Sequence, residues 1–177
     1  KQMAALWTDR FVRLKPIVYG GGQERGVRSG TENVPAVIGF ATAIELAVAH
    51  TNSEAKRLAR LRDYLQQELV AAFPSAVVSG AGKKRLAGHL HISFPGLDAE
   101  RLIFLLESER VYVATGSACA ANKGTRSHVL TAIGMSPEVA DGSLRMTLGR
   151  LSNDETIRSA AAILKRVIGG EMERVGK

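Results

Sequence analysis

Apolar positions recur along this chain with two different spacings, and the switches between them mark its elements. Residues 3–8, "MAALWT", form an apolar run that predicts a strand. From residue 10 to residue 33 neither spacing holds, and the length of this connection points to a functional loop. Val34, Val37, Ile38, Ala41, Ile44 and Val48 then keep helical spacing, with Pro35 in the first turn, where a missing N–H costs little. Thr51, Asn52 and Ser53 are expected to break or bend this helix. A second amphipathic stretch runs over 54–73 and stops at Pro74.

Short strands are expected at 76–79 and 89–94, on either side of the basic turn "GAGKKRLAG". Asp98 is placed to cap a helix, with Leu97 and Leu102 as a hydrophobic staple across its start. That helix should bury Leu102, Ile103, Leu105 and Leu106, then yield to a strand at 111–113. Ser127 and Gly134 bracket a short helix, and Ser136 with Pro137 opens another. "SLRMTLG" alternates as a strand from Ser143. A final helix is expected to use Ser152 and Glu155 as a capping box and to end at Gly169 and Gly170.

Helices alternating with short strands predict an α/β or α+β fold. The character of the chain changes most sharply near residue 50. Residues 1–50 read as the strand, glycine-rich loop and linking helix of a larger unit, and 51–177 as a compact small domain. The opening residues carry neither an initiator nor a cap, so the chain is expected to be cut from something longer.

Composition narrows the function. At 177 residues and 45% hydrophobic, the chain has enough apolar material for a real core. A single cysteine excludes an internal disulfide and fits a reducing, cytoplasmic setting. No apolar run is expected to reach the length of a membrane span. The formal charge of +7 suits nucleic acid, an acidic protein or a small anion. Five Phe, three Tyr and one Trp are few for a single-strand stacking platform, so nucleic acid is not favoured.

Three clusters carry candidate chemistry. The lone Cys119 sits in "ATGSACAANKG", whose small residues predict a mobile, solvent-reachable segment. Lys123 nearby would favour the nucleophilic thiolate, and a buried structural thiol is the alternative. In "YGGGQERGVRSGTEN", the glycines, Arg25, Arg28 and Thr31 precede a helix N-terminus and together resemble a phosphate site, or else a flexible linker. In "GSLRMTLGR", period two sets Ser143, Arg145 and Thr147 opposite the apolar Leu144, Met146 and Leu148. Arg145 there either holds an anion, with a fork suited to a carboxylate, or is an edge-strand side chain in water. His89 and His91 share a strand face with a spacing zinc can use, but no further ligand lies nearby in sequence, so no metal site is expected.

Together, "GGGQERGVRSGTENVPAVIGF", "SFPGLDAE", "GSACAA" and "SHVLTAIGMSPEVADGSLRMTLGR" resemble the C-terminal half of the cysteine desulfurases. Those are pyridoxal-phosphate enzymes of the class-V aminotransferase family, fold type I, and the resemblance covers essentially the whole chain. It implies that Cys119 takes sulfur from L-cysteine as a persulfide, leaving L-alanine, and that Arg145 holds the substrate carboxylate. Thr31 would bind the cofactor phosphate, in that family across a homodimer, with Arg25 and Arg28 shaping the mouth of the site. The segment around Cys119 resembles the variety serving iron–sulfur cluster assembly. It implies a sulfur-acceptor or scaffold protein as partner and Cys119 as a transient iron–sulfur ligand. The Schiff-base lysine, the ring-stacking histidine and the acid of the cofactor nitrogen have no counterpart here, so this stretch alone is expected to be inactive. His91 stands where the family pattern has asparagine, and Arg126 where it has proline. A selenocysteine lyase and a non-catalytic sulfur carrier are the alternatives.

Overall fold

A computed structural model describes residues 3–80, 85–115 and 126–176. The chain divides into two compact units, Lys1–Thr51 and Asn52–Lys177.

In the first unit, the strand expected at 3–8 is not formed. These residues are irregular, and Trp7 is 88% exposed. A strand needs a neighbour to take its N–H and C=O groups, and among the described residues none pairs with this one. The loop that follows holds a single 3-10 turn at Glu24–Gly26. Helix α1 (Val34–Ala72) then begins, with the Asn33 side chain accepting from the Ala36 N–H at 3.1 Å. The break expected at 51–53 is absent, and the helix runs on for 39 residues. Thr51 satisfies its hydroxyl inside the helix by donating to the Ala47 carbonyl at 2.6 Å, so a turn-favouring residue does not end it.

The helical spacing of Val34, Val37, Ile38, Ile44 and Val48 is present, yet all five are exposed, Val48 at 70%. The first part of α1 is long and apolar enough to cross a membrane by length and composition, contrary to the expectation from the sequence. A helix in the core of a soluble protein has the same composition.

The second unit is built on a four-stranded antiparallel sheet. Its strands are β1 (Val77–Ser79), β2 (His89–Ser93), β3 (Ala114–Thr115) and β4 (Ser143–Thr147), in the order β1-β2-β4-β3. Leu90 and Ile92 of β2, with Leu144 and Met146 of β4, point inward on alternate positions. Against them pack Leu61, Leu65 and Leu69 of α1, Leu102 and Leu106 of α2 (Ala99–Ser108), and Ala161, Leu164 and Ile168 of α5 (Asp154–Arg174). Two short helices, α3 (His128–Ala132) and α4 (Pro137–Asp141), lead into β4. Each buried leucine removes on the order of 2 kcal/mol of apolar surface cost from water, so this single cluster supplies the main driving force of the unit.

Two glycines allow the β2–β4 ladder to close at both ends. A Cβ at Gly142 would lie 2.1 Å from the Phe94 carbonyl oxygen, and the Phe94 N–H donates to the Gly142 carbonyl at 2.9 Å. At the other end a Cβ on Gly88 would lie 2.6 Å from the Leu148 oxygen, whose own N–H donates to Gly88 at 2.8 Å. Any side chain there would force these backbones apart.

Several local expectations shift by a few residues. Asp98 caps α2 as anticipated, accepting from the N–H of Glu100 and of Arg101, and Leu97 and Leu102 are both buried. The strand after α2 forms at Ala114–Thr115 instead of 111–113. Arg110 turns left-handed (φ 60°) and the Val111 N–H returns to the Leu106 carbonyl, so the helix end occupies residues that would otherwise pair. The capping box of α5 is Asn153 with Thr156, because Ser152 spends its hydroxyl accepting from the Gly149 N–H. Gly169 and Gly170 do not end α5. Ile168 is fully buried before them, and beyond them Glu171 takes donors from Arg101 and Arg174, both at 2.8 Å.

Candidate active site

The β4 strand sorts its side chains as period two requires. Leu144, Met146 and Leu148 enter the core, while Arg145 and Thr147 emerge on the opposite face. Ser143 differs from these two in exposure. It is buried, opposite the equally buried Ser93 of β2, whose hydroxyl has no partner.

Arg145 stands directly across from His91 on β2 and from Ala114 on β3. Its guanidinium is exposed and has no carboxylate beside it among the described residues. The contrast with other arginines of this unit is plain. Arg57 pairs with Glu54 at 2.8 Å, Arg60 with Asp154 at 2.5 Å, Arg101 with Glu171 at 2.8 Å and Arg126 with Asp141 at 2.6 Å. In the last three pairs the arginine hydrogen bond holds the acid below its ordinary range. A guanidinium without an acid partner among the described residues has a fork whose geometry fits a carboxylate.

Burial, and then the positive charge of Arg145, push the His91 imidazole below its ordinary pKa. Both of its ring nitrogens are buried without a hydrogen-bond partner. No group of three metal-ligating side chains occurs among the described residues.

Cys119 and Lys123 lie outside the described residues, and so does the expectation of a mobile thiol. What is described is the root of their segment. Ala114, five residues before Cys119, pairs with Arg145, and Thr115 pairs with Leu144. The β3–β4 pairing thus starts the cysteine segment one strand away from the unpaired guanidinium.

The glycine-rich loop belongs to the first unit. Gly22, Gly26 and Gly30 take φ of 81°, 79° and 123°, and Glu24 and Arg25 are also left-handed. Non-glycine residues rarely adopt that conformation, and it is retained where a functional loop imposes it. The Gln23 side chain closes the loop by accepting from the Gly30 N–H at 3.0 Å. Arg28 donates to the Ser29 carbonyl at 2.6 Å, which ties it to its own loop, while the Arg25 side chain is exposed. Thr31 is exposed just ahead of α1. At φ 123° Gly30 holds a backbone conformation that side chains rarely adopt, and a Cβ there would meet only the movable end of Arg28, at 2.5 Å. Hydroxyl, guanidinium and helix N-terminus on one loop form a donor set that fits a phosphate.

Thr31, Arg25 and Arg28 are therefore gathered on one loop of the first unit, and Arg145 and the root of the Cys119 segment on one sheet of the second. Sequence reasoning treated His91 only as a zinc candidate and a departure from a pattern. Its place beside Arg145 depends on which strands pair, and the order β1-β2-β4-β3 is not readable from strand spacing.

The class-V aminotransferase family model matches residues 8–159. A protein named cysteine desulfurase IscS 1 from Archaeoglobus fulgidus is 40% identical over 168 residues, covering 95% of this chain and 44% of that protein. An IscS-like cysteine desulfurase from Mycobacterium tuberculosis is 39% identical over 163 residues, covering 92% and 42%. Among solved structures, a NifS-like protein superposes with a TM-score of 0.79 at 31% identity, over 90% of this chain and 40% of its own. A NifS-like protein from Rickettsia africae gives 0.78 at 27% identity, over 89% and 41%. The chain thus spans less than half the length of the relatives it matches.

Proposed function

Because this chain belongs to the class-V aminotransferase family, whose enzymes depend on pyridoxal phosphate, we propose that it is the C-terminal part of a cysteine desulfurase. The fold is the matching part of a NifS-like, fold type I enzyme. The observation that carries the functional reading is the β3–β4 register: it joins an unpaired Arg145 to the root of the segment bearing the only cysteine. The first unit is a remnant of the large cofactor-binding domain, and the exposed apolar face of α1 is the surface the rest of that domain would cover.

In this reading Arg145 takes the substrate carboxylate in its fork and fixes the orientation of the amino acid. Thr31 would hold the phosphate of pyridoxal phosphate across the homodimer, and the bound cofactor would supply the electron sink for breaking the carbon–sulfur bond of L-cysteine. The Cys119 thiolate attacks the substrate sulfur, and a sulfur–sulfur bond forms. The carbon–sulfur bond breaks, its electron pair stays on carbon, and a proton there completes L-alanine. Cys119 is left as a persulfide for a sulfur acceptor, with iron–sulfur assembly as the destination. The intact enzyme is a cytoplasmic homodimer, and this stretch alone, without the Schiff-base lysine, is inactive.

The test is mass spectrometry of the complete protein after exposure to L-cysteine. Wild type should gain one sulfur on the peptide containing Cys119. Cys119→Ser should lose sulfur release while stability changes by less than about 0.5 kcal/mol, the scale of a surface substitution. Normal sulfur release by Cys119→Ser would overturn the reading.

A further inference from the structure

The outer face of the sheet carries a second polar group that the proposed chemistry leaves unused. Ser79 of β1 pairs with His91 of β2, His91 with Arg145 of β4, and Arg145 with Ala114 of β3. These four residues form one row across all four strands. Directly opposed side chains share a face, with Cβ atoms about 5 Å apart.

Three observations single out His91 within the row. Each nitrogen of a neutral imidazole is either a donor or an acceptor, and here both are buried with neither bond made. Such an unmade pair is rare in a folded protein and calls for a missing partner. The neighbours in the row do not supply one: Ser79 donates to the Met135 sulfur at 3.5 Å, Ala114 has no polar side-chain atom, and Arg145 bonds to neither nitrogen. The third observation is that Arg145 itself lacks an anion. One negatively charged, planar group placed over Arg145 would accept from the guanidinium and from the protonated nitrogen of His91 at once.

We propose that His91 is a substrate-binding residue, donating a ring N–H to the same carboxylate that Arg145 holds in its fork. The site then has three converging donors and selects amino acids with a free, charged carboxylate over amides and esters. The two ring nitrogens of His91 are covered in this conformation. The inference rests on Arg145 being the carboxylate anchor of a desulfurase.

The experiment uses the complete protein and the variants His91→Ala, His91→Asn and Arg145→Ala. His91→Ala should raise KM for L-cysteine roughly tenfold with kcat nearly unchanged, the scale of one hydrogen bond to a charged group. His91→Asn, which keeps an N–H donor, should recover most of it. In protein labelled with nitrogen-15 at histidine, L-alanine should shift the His91 ring resonances saturably. L-alaninamide should not, and Arg145→Ala should abolish the shift. An unmoved ring, or an unchanged KM in His91→Ala while Arg145→Ala raises it, would overturn the His91 assignment and leave the desulfurase reading standing. An unchanged KM in Arg145→Ala would remove the carboxylate anchor and with it this inference. Should His91→Ala fail to fold, the asparagine variant and the ring resonances decide.

Discussion

The two units use the same apolar alphabet to opposite ends. In Asn52–Lys177, leucines spaced along α1 at 61, 65 and 69 meet a sheet and two further helices and are excluded from water. In Lys1–Thr51, the earlier turns of the same helix carry equally apolar residues at equally regular spacing, and these stand exposed. Spacing makes a face, but burial requires a partner of complementary shape. The second unit contains that partner within its own residues. For the first unit, the described residues do not supply it. The chemistry divides in the same way: candidate phosphate donors gather on the irregular loop of the first unit, and the candidate carboxylate site on the rigid sheet of the second.

Core truncation should separate the units most strongly. Leu144→Ala, at a fully buried position of β4, is expected to cost about 2–5 kcal/mol in denaturant unfolding. A cost below about 1 kcal/mol would mean that the sheet is not the organising element of the second unit.

An intermediate effect is expected from acid. Glu171, Asp154 and Asp141 are each held below their ordinary pKa by an arginine hydrogen bond. A carboxyl with a lowered folded pKa binds fewer protons folded than unfolded, so its contribution is present above about pH 4.5 and is lost as pH falls through the folded value. His91, also lowered, adds in the same direction once pH drops below about 6.5. Unfolding midpoints between pH 7 and pH 3 should therefore fall steadily, and 1 M salt should shrink the part from the exposed Asp154 and Asp141 pairs more than that from the buried Glu171. A midpoint that rose toward pH 3 would contradict these pairings.

The smallest change should come from the first unit. Ile38→Ser, on the exposed face of α1, is expected to alter the stability of this chain by less than about 0.5 kcal/mol. It should instead reduce binding of a hydrophobic dye, because a solvent-facing apolar patch is what such dyes find. A loss of 2 kcal/mol or more would show that this face is covered in solution and would erase the contrast.

Much of the second unit was legible because its signals are local. Asp98 capping α2, the alternation of Leu144, Met146 and Leu148, and the paired bracketing of the short helices all follow from side chains acting on backbone within a few residues. The candidate residues Thr31, Arg145 and Cys119 were legible for a different reason, since their flanking motifs resemble a known family. Where local reasoning failed, a longer-range contact prevailed. Asn153 displaced Ser152 as the cap of α5 because Gly149 claimed the serine hydroxyl, and α5 outran two glycines because Arg101 on another helix holds Glu171.

By itself, then, the amino-acid sequence determined which faces are apolar, where most helices begin, and which side chains carry charge or a thiol. These follow from covalent chemistry and from spacing along one strand or helix. Only the tertiary structure decided that β2 and β3 flank β4, that His91 and Arg145 meet across that pairing, and that one half of α1 is buried while the other is bare. Strand order and burial are set by which distant surfaces fit each other, and that fit is a property of packed volumes in three dimensions.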